Sequence, residues 1–92
     1  VEKHGYHIIK DLTGHGVGKT LHEQPYIYNY GEPGKGAKIK AGMTLAIEPI
    51  LWLSSGTIID KWDWEIYVAD GSIGCQFEHC ILVTDGDPEI IV

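Results

Sequence analysis

The eight residues Thr13–Thr20, TGHGVGKT, admit two architectures, and choosing between them decides what the rest of the chain must be. Read as a phosphate-gripping loop, they require a strand before and a helix after, with backbone N–H groups and the helix N-terminus cradling the phosphates. That pattern needs glycine, four residues, then Gly-Lys-Ser/Thr. Counting back from Gly18-Lys19-Thr20, the first position holds Thr13, and the glycine comes one place late. Pro25 follows five residues after Thr20, and PYIYNYGEPG beyond it cannot open a long helix. The dinucleotide fingerprint fails similarly, because Lys19 stands at its third glycine. What remains is a histidine framed by glycines, His15, with a second, His22, seven positions on. Flanking residues without Cβ atoms let an imidazole stand at a crowded site.

Working outward, the chain reads as strands joined by turns. YHIIKDL (6–12) is a strand leading into TGHGVGKT as a loop, and PYIYNYGEPGKG (25–36) is an extended loop with two prolines and three glycines. KAGM supplies a turn into one long apolar strand, MTLAIEPILWL (43–53). TIIDKW, WEIYVADGS and GCQFEHCILVTDG continue as strands, Asp70-Gly71 marks a tight hairpin between the last two, and PEIIV closes the sheet. There is no internal repeat, no low-complexity segment and no helix of more than two turns.

Ninety-two residues bound the chain to at most one domain, of a size expected to bury roughly 60 to 65% of its unfolded surface. The apolar share of 43%, with three Trp and five Tyr, belongs to a globular chain rather than a disordered one. A net charge of -6, with seven lysines and no arginine, argues against nucleic-acid or anionic-membrane partners. No window is apolar enough to span a bilayer, and the N-terminus lacks the features of a signal peptide. Cys75 and Cys80, five apart in an apparent single strand, should face opposite sides and cannot bridge; two reduced thiols suit the cytoplasm. The opening VEKHG reads as entry in mid-element, a charged segment reaching a helix-capping glycine, so the chain is expected to be part of a longer one.

Two carboxylates give the histidine company. In MTLAIEPI, alternation puts Glu48 on the face of Ala46 and Ile50 in an otherwise apolar strand, with no lysine within three residues. A buried carboxylate survives only if paired, protonated or bound to a metal. In CQFEHCILV, alternation groups Gln76, Glu78, Cys80 and Leu82 on one face. Two glutamates and a histidine form an oxygen-rich set with one nitrogen, suited to Mn, Fe, Co or Zn. Glutamates facing solvent from a half-exposed antiparallel sheet would look the same in sequence, and composition alone leaves the two readings about even.

TGHGVGKTLHEQPYIYNYG, IKAGMTLAIEPI and DGSIGCQFEHCILVTDGDPEI, in this order and spacing, resemble the C-terminal half of a type I methionine aminopeptidase, from about Gly5 to Ile91. The resemblance implies an α+β pita-bread metallopeptidase fold, of which this chain supplies mainly antiparallel sheet and little helix. It implies a pair of divalent ions (Co, Mn, Fe or Zn), with His15 and Glu48 as metal ligands and Glu78 bridging the two. Glu48 would also relay the water's proton. His22 would hydrogen-bond the reacting amide, Trp64 would edge the methionine pocket, and Gln76 would lie beside Glu78. The reaction implied is removal of N-terminal methionine from new polypeptides when the next residue is small. Leu21 departs from the family pattern, where an aromatic residue often precedes the second histidine.

The family's site also takes two aspartates and a histidine from its N-terminal half, to which no segment here corresponds. Asp60, Asp63 and Asp70 look like turn and strand-edge residues instead. The chain is therefore expected to need that half as its partner, to be inactive alone, and to self-associate through an exposed edge and an uncovered apolar face. A non-catalytic or partner-binding subdomain is the alternative of a different class. Proline-specific aminopeptidases and dipeptidases share the fold, but they carry an arginine near the last ligand glutamate, where this chain has Gln76 and His79.

Overall fold

The computed structural model describes residues 1–54, 57–62 and 65–92, and of 60–62 the backbone alone. Val1 leads into a single 3-10 turn, Glu2–His4, which Gly5 ends in the left-handed conformation at φ 78° while its N–H returns to the Glu2 carbonyl. Among the described residues ten short strands follow: β1 His7–Ile8, β2 Gly14–Gly16, β3 Glu23–Ile27, β4 Thr44–Ile47, β5 Ile50–Trp52, β6 Ile58–Trp62, β7 Glu65–Val68, β8 Gly74–Gln76, β9 His79–Leu82 and β10 Glu89–Ile90. They form a five-stranded sheet in the order β10-β9-β4-β2-β3, a three-stranded sheet β1-β5-β8, and the pair β6-β7. Every pairing is antiparallel. The expectation of antiparallel sheet with little helix is met.

Several expectations are corrected. TGHGVGKT is not simply a loop: Gly14–Gly16 is a fully buried strand inside the five-stranded sheet, held by β3 on one side and β4 on the other. Glycine's low strand propensity is overridden because the neighbours come too close for anything larger. A Cβ on Gly14 would strike the Ala46 carbonyl oxygen, and one on Gly16 the Gln24 carbonyl oxygen.

The apparent long strands 43–53 and 74–86 are each two strands. Both break at a glutamate, at Glu48-Pro49 between β4 and β5 and at Phe77-Glu78 between β8 and β9. Pro49 has no N–H to give the ladder. Ile47 pairs with His79 on one side of the break and Ile50 with Gln76 on the other, so the two breaks lie opposite each other. A backbone bond crosses them, from Phe77 N–H to the Pro49 carbonyl at 3.3 Å. Cys75 and Cys80 therefore sit in different strands of different sheets, not on two faces of one; both are free thiols.

Asp70-Gly71 is a turn, with Gly71 N–H bonded to the Val68 carbonyl, but the strands it joins are not partners: β7 pairs with β6 and β8 with β5. Pro25–Ile27, read as loop, belongs to β3.

Among the described residues the buried apolar ones are Ile9, Leu45, Ala46 and Trp52. Large apolar side chains remain outside, among them Leu21, Leu53, Ile73, Phe77 and Val92, each more than half exposed. Among the described residues no helix is long and apolar enough to cross a membrane.

Candidate metal centre

The double break is where the polar side chains collect. His15, from the glycine strand, is the buried polar residue of the sheet at 7% exposure, paired across to Ala46, two residues before Glu48. Its Nε2 lies 3.1 Å from Glu48 Oε1, and its Nδ1 lies 2.9 Å from the Gly16 carbonyl oxygen. A carbonyl only accepts, so Nδ1 carries the hydrogen, and Nε2 faces the carboxylate oxygen as a lone pair in the neutral ring or as a second N–H in the cation. Two acceptors hold that separation only with a proton or a cation between them. Metal-ligating histidines are oriented by the same backbone bond from the opposite nitrogen.

The His22 ring packs edge-on against His15, with centroids 4.3 Å apart. Gln76 Nε2 donates to Glu48 Oε2 at 3.5 Å. Glu48 is only 16% exposed at its side chain, and burial pushes its carboxyl above the ordinary 4.5, with the Glu78 charge adding to the rise against the lowering by His15 and His22. Glu78 itself is exposed. An open cleft of roughly 430 Å³ lies over the group, lined by His15, His22, Glu48 and Gln76 and by the apolar Leu12, Ile50 and Ile66.

Of the residues singled out in the sequence, His15, His22, Glu48 and Gln76 share one cleft, with Glu78 within electrostatic reach of Glu48. Alternation placed the glutamates by the wrong route, since both stand at strand breaks rather than on strand faces. Trp64 and Asp63 lie outside the described residues. Among the described residues no three His, Cys, Asp or Glu side chains form a closed ion site by themselves. The donor set suits a divalent ion, since His15 offers a lone pair and Glu48 a facing oxygen, but it is an incomplete set.

One site contact had no signal in the sequence. Asn29, inside the 25–36 segment, donates from Nδ2 to the Glu48 backbone carbonyl at 3.3 Å, tying that segment to the break.

The raised Glu48 carboxyl makes a stability prediction for the metal-free protein. As pH climbs past 4.5, this group ionises in the unfolded chain before it does so in the folded one, and stability falls until the folded carboxyl has ionised too. Glu48→Gln removes that penalty. Thermal unfolding in chelator should show the variant melting above the parent at pH 7 and gaining nothing at pH 4. A lower melting temperature at pH 7 would mean that the contact with His15 outweighs burial.

The chain belongs to metallopeptidase family M24, whose family model matches residues 1–85. Within that family it is similar to the methionine aminopeptidases of Clostridium acetobutylicum (43% identical over 94 residues, 99% of this chain and 37% of that protein) and Rickettsia prowazekii (43% over 91 residues, 97% and 35%). The crystal structure of the Thermotoga maritima methionine aminopeptidase superposes with a TM-score of 0.91 at 47% identity, over 98% of this chain and 36% of that one. The pita-bread fold implied by the sequence motifs is thus the fold observed. The chain spans a little over a third of the length of these relatives.

Proposed function

We propose that this chain is the C-terminal, His15- and Glu48-bearing portion of a metal-dependent aminopeptidase that removes N-terminal methionine from new polypeptides in the cytoplasm. The observation that carries it is the His15–Glu48 pair, an imidazole nitrogen and a carboxylate oxygen facing each other across 3.1 Å. The similarity to methionine aminopeptidases supports the substrate.

In this reading His15, Glu48 and Glu78 would hold two divalent ions of the Co, Mn, Fe or Zn type, completed by donors from the rest of the domain. Bound ions would ease deprotonation of the attacking water and draw charge from the scissile carbonyl. Glu48 would take a proton at its carboxylate and return it to the leaving amine. Gln76 steadies the second oxygen of Glu48, and His22 hydrogen-bonds the reacting amide. Leu12, Ile50 and Ile66 give the cleft apolar surface for a methionine side chain. The exposed apolar residues would be covered by the remainder of the domain, and the chain by itself would be inactive and prone to self-association.

The test is release of methionine from a Met-Ala peptide by the full-length protein, with and without added Mn or Co, beside an X-Pro peptide. Metal-dependent cleavage of Met-Ala alone is expected. An inactive protein of full length overturns the reading, and preferential X-Pro cleavage moves it to the proline-specific sister group.

A further inference from the structure

The Gly-Lys-Thr that imitates a phosphate loop is left unused by the metal reading, yet its backbone is closely engaged. Gly16 pairs with Glu23, and the ladder shifts register between His15 and Gly16, so residues 17–22 leave the sheet as a loop closed at its base. Inside that loop the Glu23 carboxylate turns back over Thr20. Its Oε1 accepts from the Thr20 N–H at 2.8 Å and from the Thr20 hydroxyl at 3.3 Å. The same hydroxyl reaches the His22 carbonyl at 3.1 Å. Gly18 N–H bonds to the Thr20 carbonyl at 3.1 Å, and a Cβ on Gly18 would come within 2.7 Å of Glu23 Oε2. The missing side chain at Gly18 is what leaves the carboxylate its place.

These bonds bracket Leu21 and His22, and of the two it is His22 that lines the cleft. His22 is itself exposed, and its ring touches His15 only edge-on, so the course of its backbone decides where the imidazole stands. We infer that Glu23 and Thr20 are positioning residues for His22: the carboxylate clamps the turn from position 20 to position 23 and aims the imidazole into the cleft beside His15. A charged acceptor bound by a backbone N–H is stiffer than a neutral pair, which suits an exposed loop that must hold a side chain to within an ångström. The inference rests on the role given above to His22.

A double-mutant cycle in the full-length protein tests it, using kcat and KM on a Met-Ala peptide, metal content and thermal unfolding. Glu23→Ala should lower kcat roughly ten- to a hundredfold with KM nearly unchanged and metal content intact. In a His22→Ala background the same change should cost nothing further. Thr20→Ser should keep the parent kcat and Thr20→Val should lower it, which preserves the test should Glu23→Ala fail to fold. Unchanged kcat in both Glu23→Ala and Thr20→Val overturns the clamp, as do losses that multiply with that of His22→Ala. A His22→Ala variant with full kcat overturns the assignment of His22 itself.

Discussion

Gly16→Ala should cost the folded protein about 3 kcal/mol, a fall in melting temperature on the order of 10 °C. The added Cβ would collide with the Gln24 carbonyl oxygen and lie 2.9 Å from the Gln24 carbonyl carbon and 3.0 Å from the Glu23 oxygen. All three are backbone atoms of the paired strand β3, so no side-chain rotation relieves the contact, and the strands must separate. Separation would break the ladder on the side of the sheet where His15 is held. Gly14→Ala should behave similarly, since its Cβ meets the Ala46 carbonyl and lies 3.3 Å from the Ile27 Cβ. Gly86→Ala is the control: nothing lies within 4 Å of its Cβ, and the change should stay within about 0.5 kcal/mol. Scanning calorimetry of the three variants decides it. A Gly16→Ala protein melting within about 2 °C of the parent would show that β2 and β3 can part without penalty.

That steric reason explains what the sequence could and could not disclose. The three motifs carried the fold and the grouping of His15, His22, Glu48 and Gln76, because each motif is tied to a fixed place in the domain. Local propensity misread Gly14–Gly16 as loop, since glycine signals turns wherever tertiary crowding is unseen. Alternation misread residues 43–53 and 74–86 as single strands, although Pro49 already marked a residue that cannot donate to a ladder. The breaks matter to the site: a continuous strand would have sent Glu48 and Glu78 along faces set by parity, whereas the facing breaks bring their charges close enough to be felt together. Asn29, Thr20 and Glu23 were not legible, because side-chain bonds to distant or reversed backbone leave no periodic trace.

Glu78→Gln should separate stability from function more cleanly than any other change at the centre. Glu78 is exposed, so its amide loses no buried contact, and the melting temperature of the metal-free protein should move by no more than about 0.5 kcal/mol would move it. Its negative charge also raises the Glu48 carboxyl, so neutralising it relieves some of that strain. Solvated glutamates at strand ends are dispensable in just this way, and stability alone cannot tell such a residue from a ligand. Metal affinity and methionine release can. If Glu78 bridges two ions, replacing its oxygen by an amide nitrogen should weaken divalent-ion binding and lower kcat/KM by about a hundredfold or more, without unfolding. Calorimetric titration of the full-length variant with Mn, beside Met-Ala kinetics at saturating metal, measures both. A Glu78→Gln protein with parental affinity and rate would return Glu78 to the solvent-facing class and leave His15 and Glu48 to hold a single ion with donors from elsewhere in the domain.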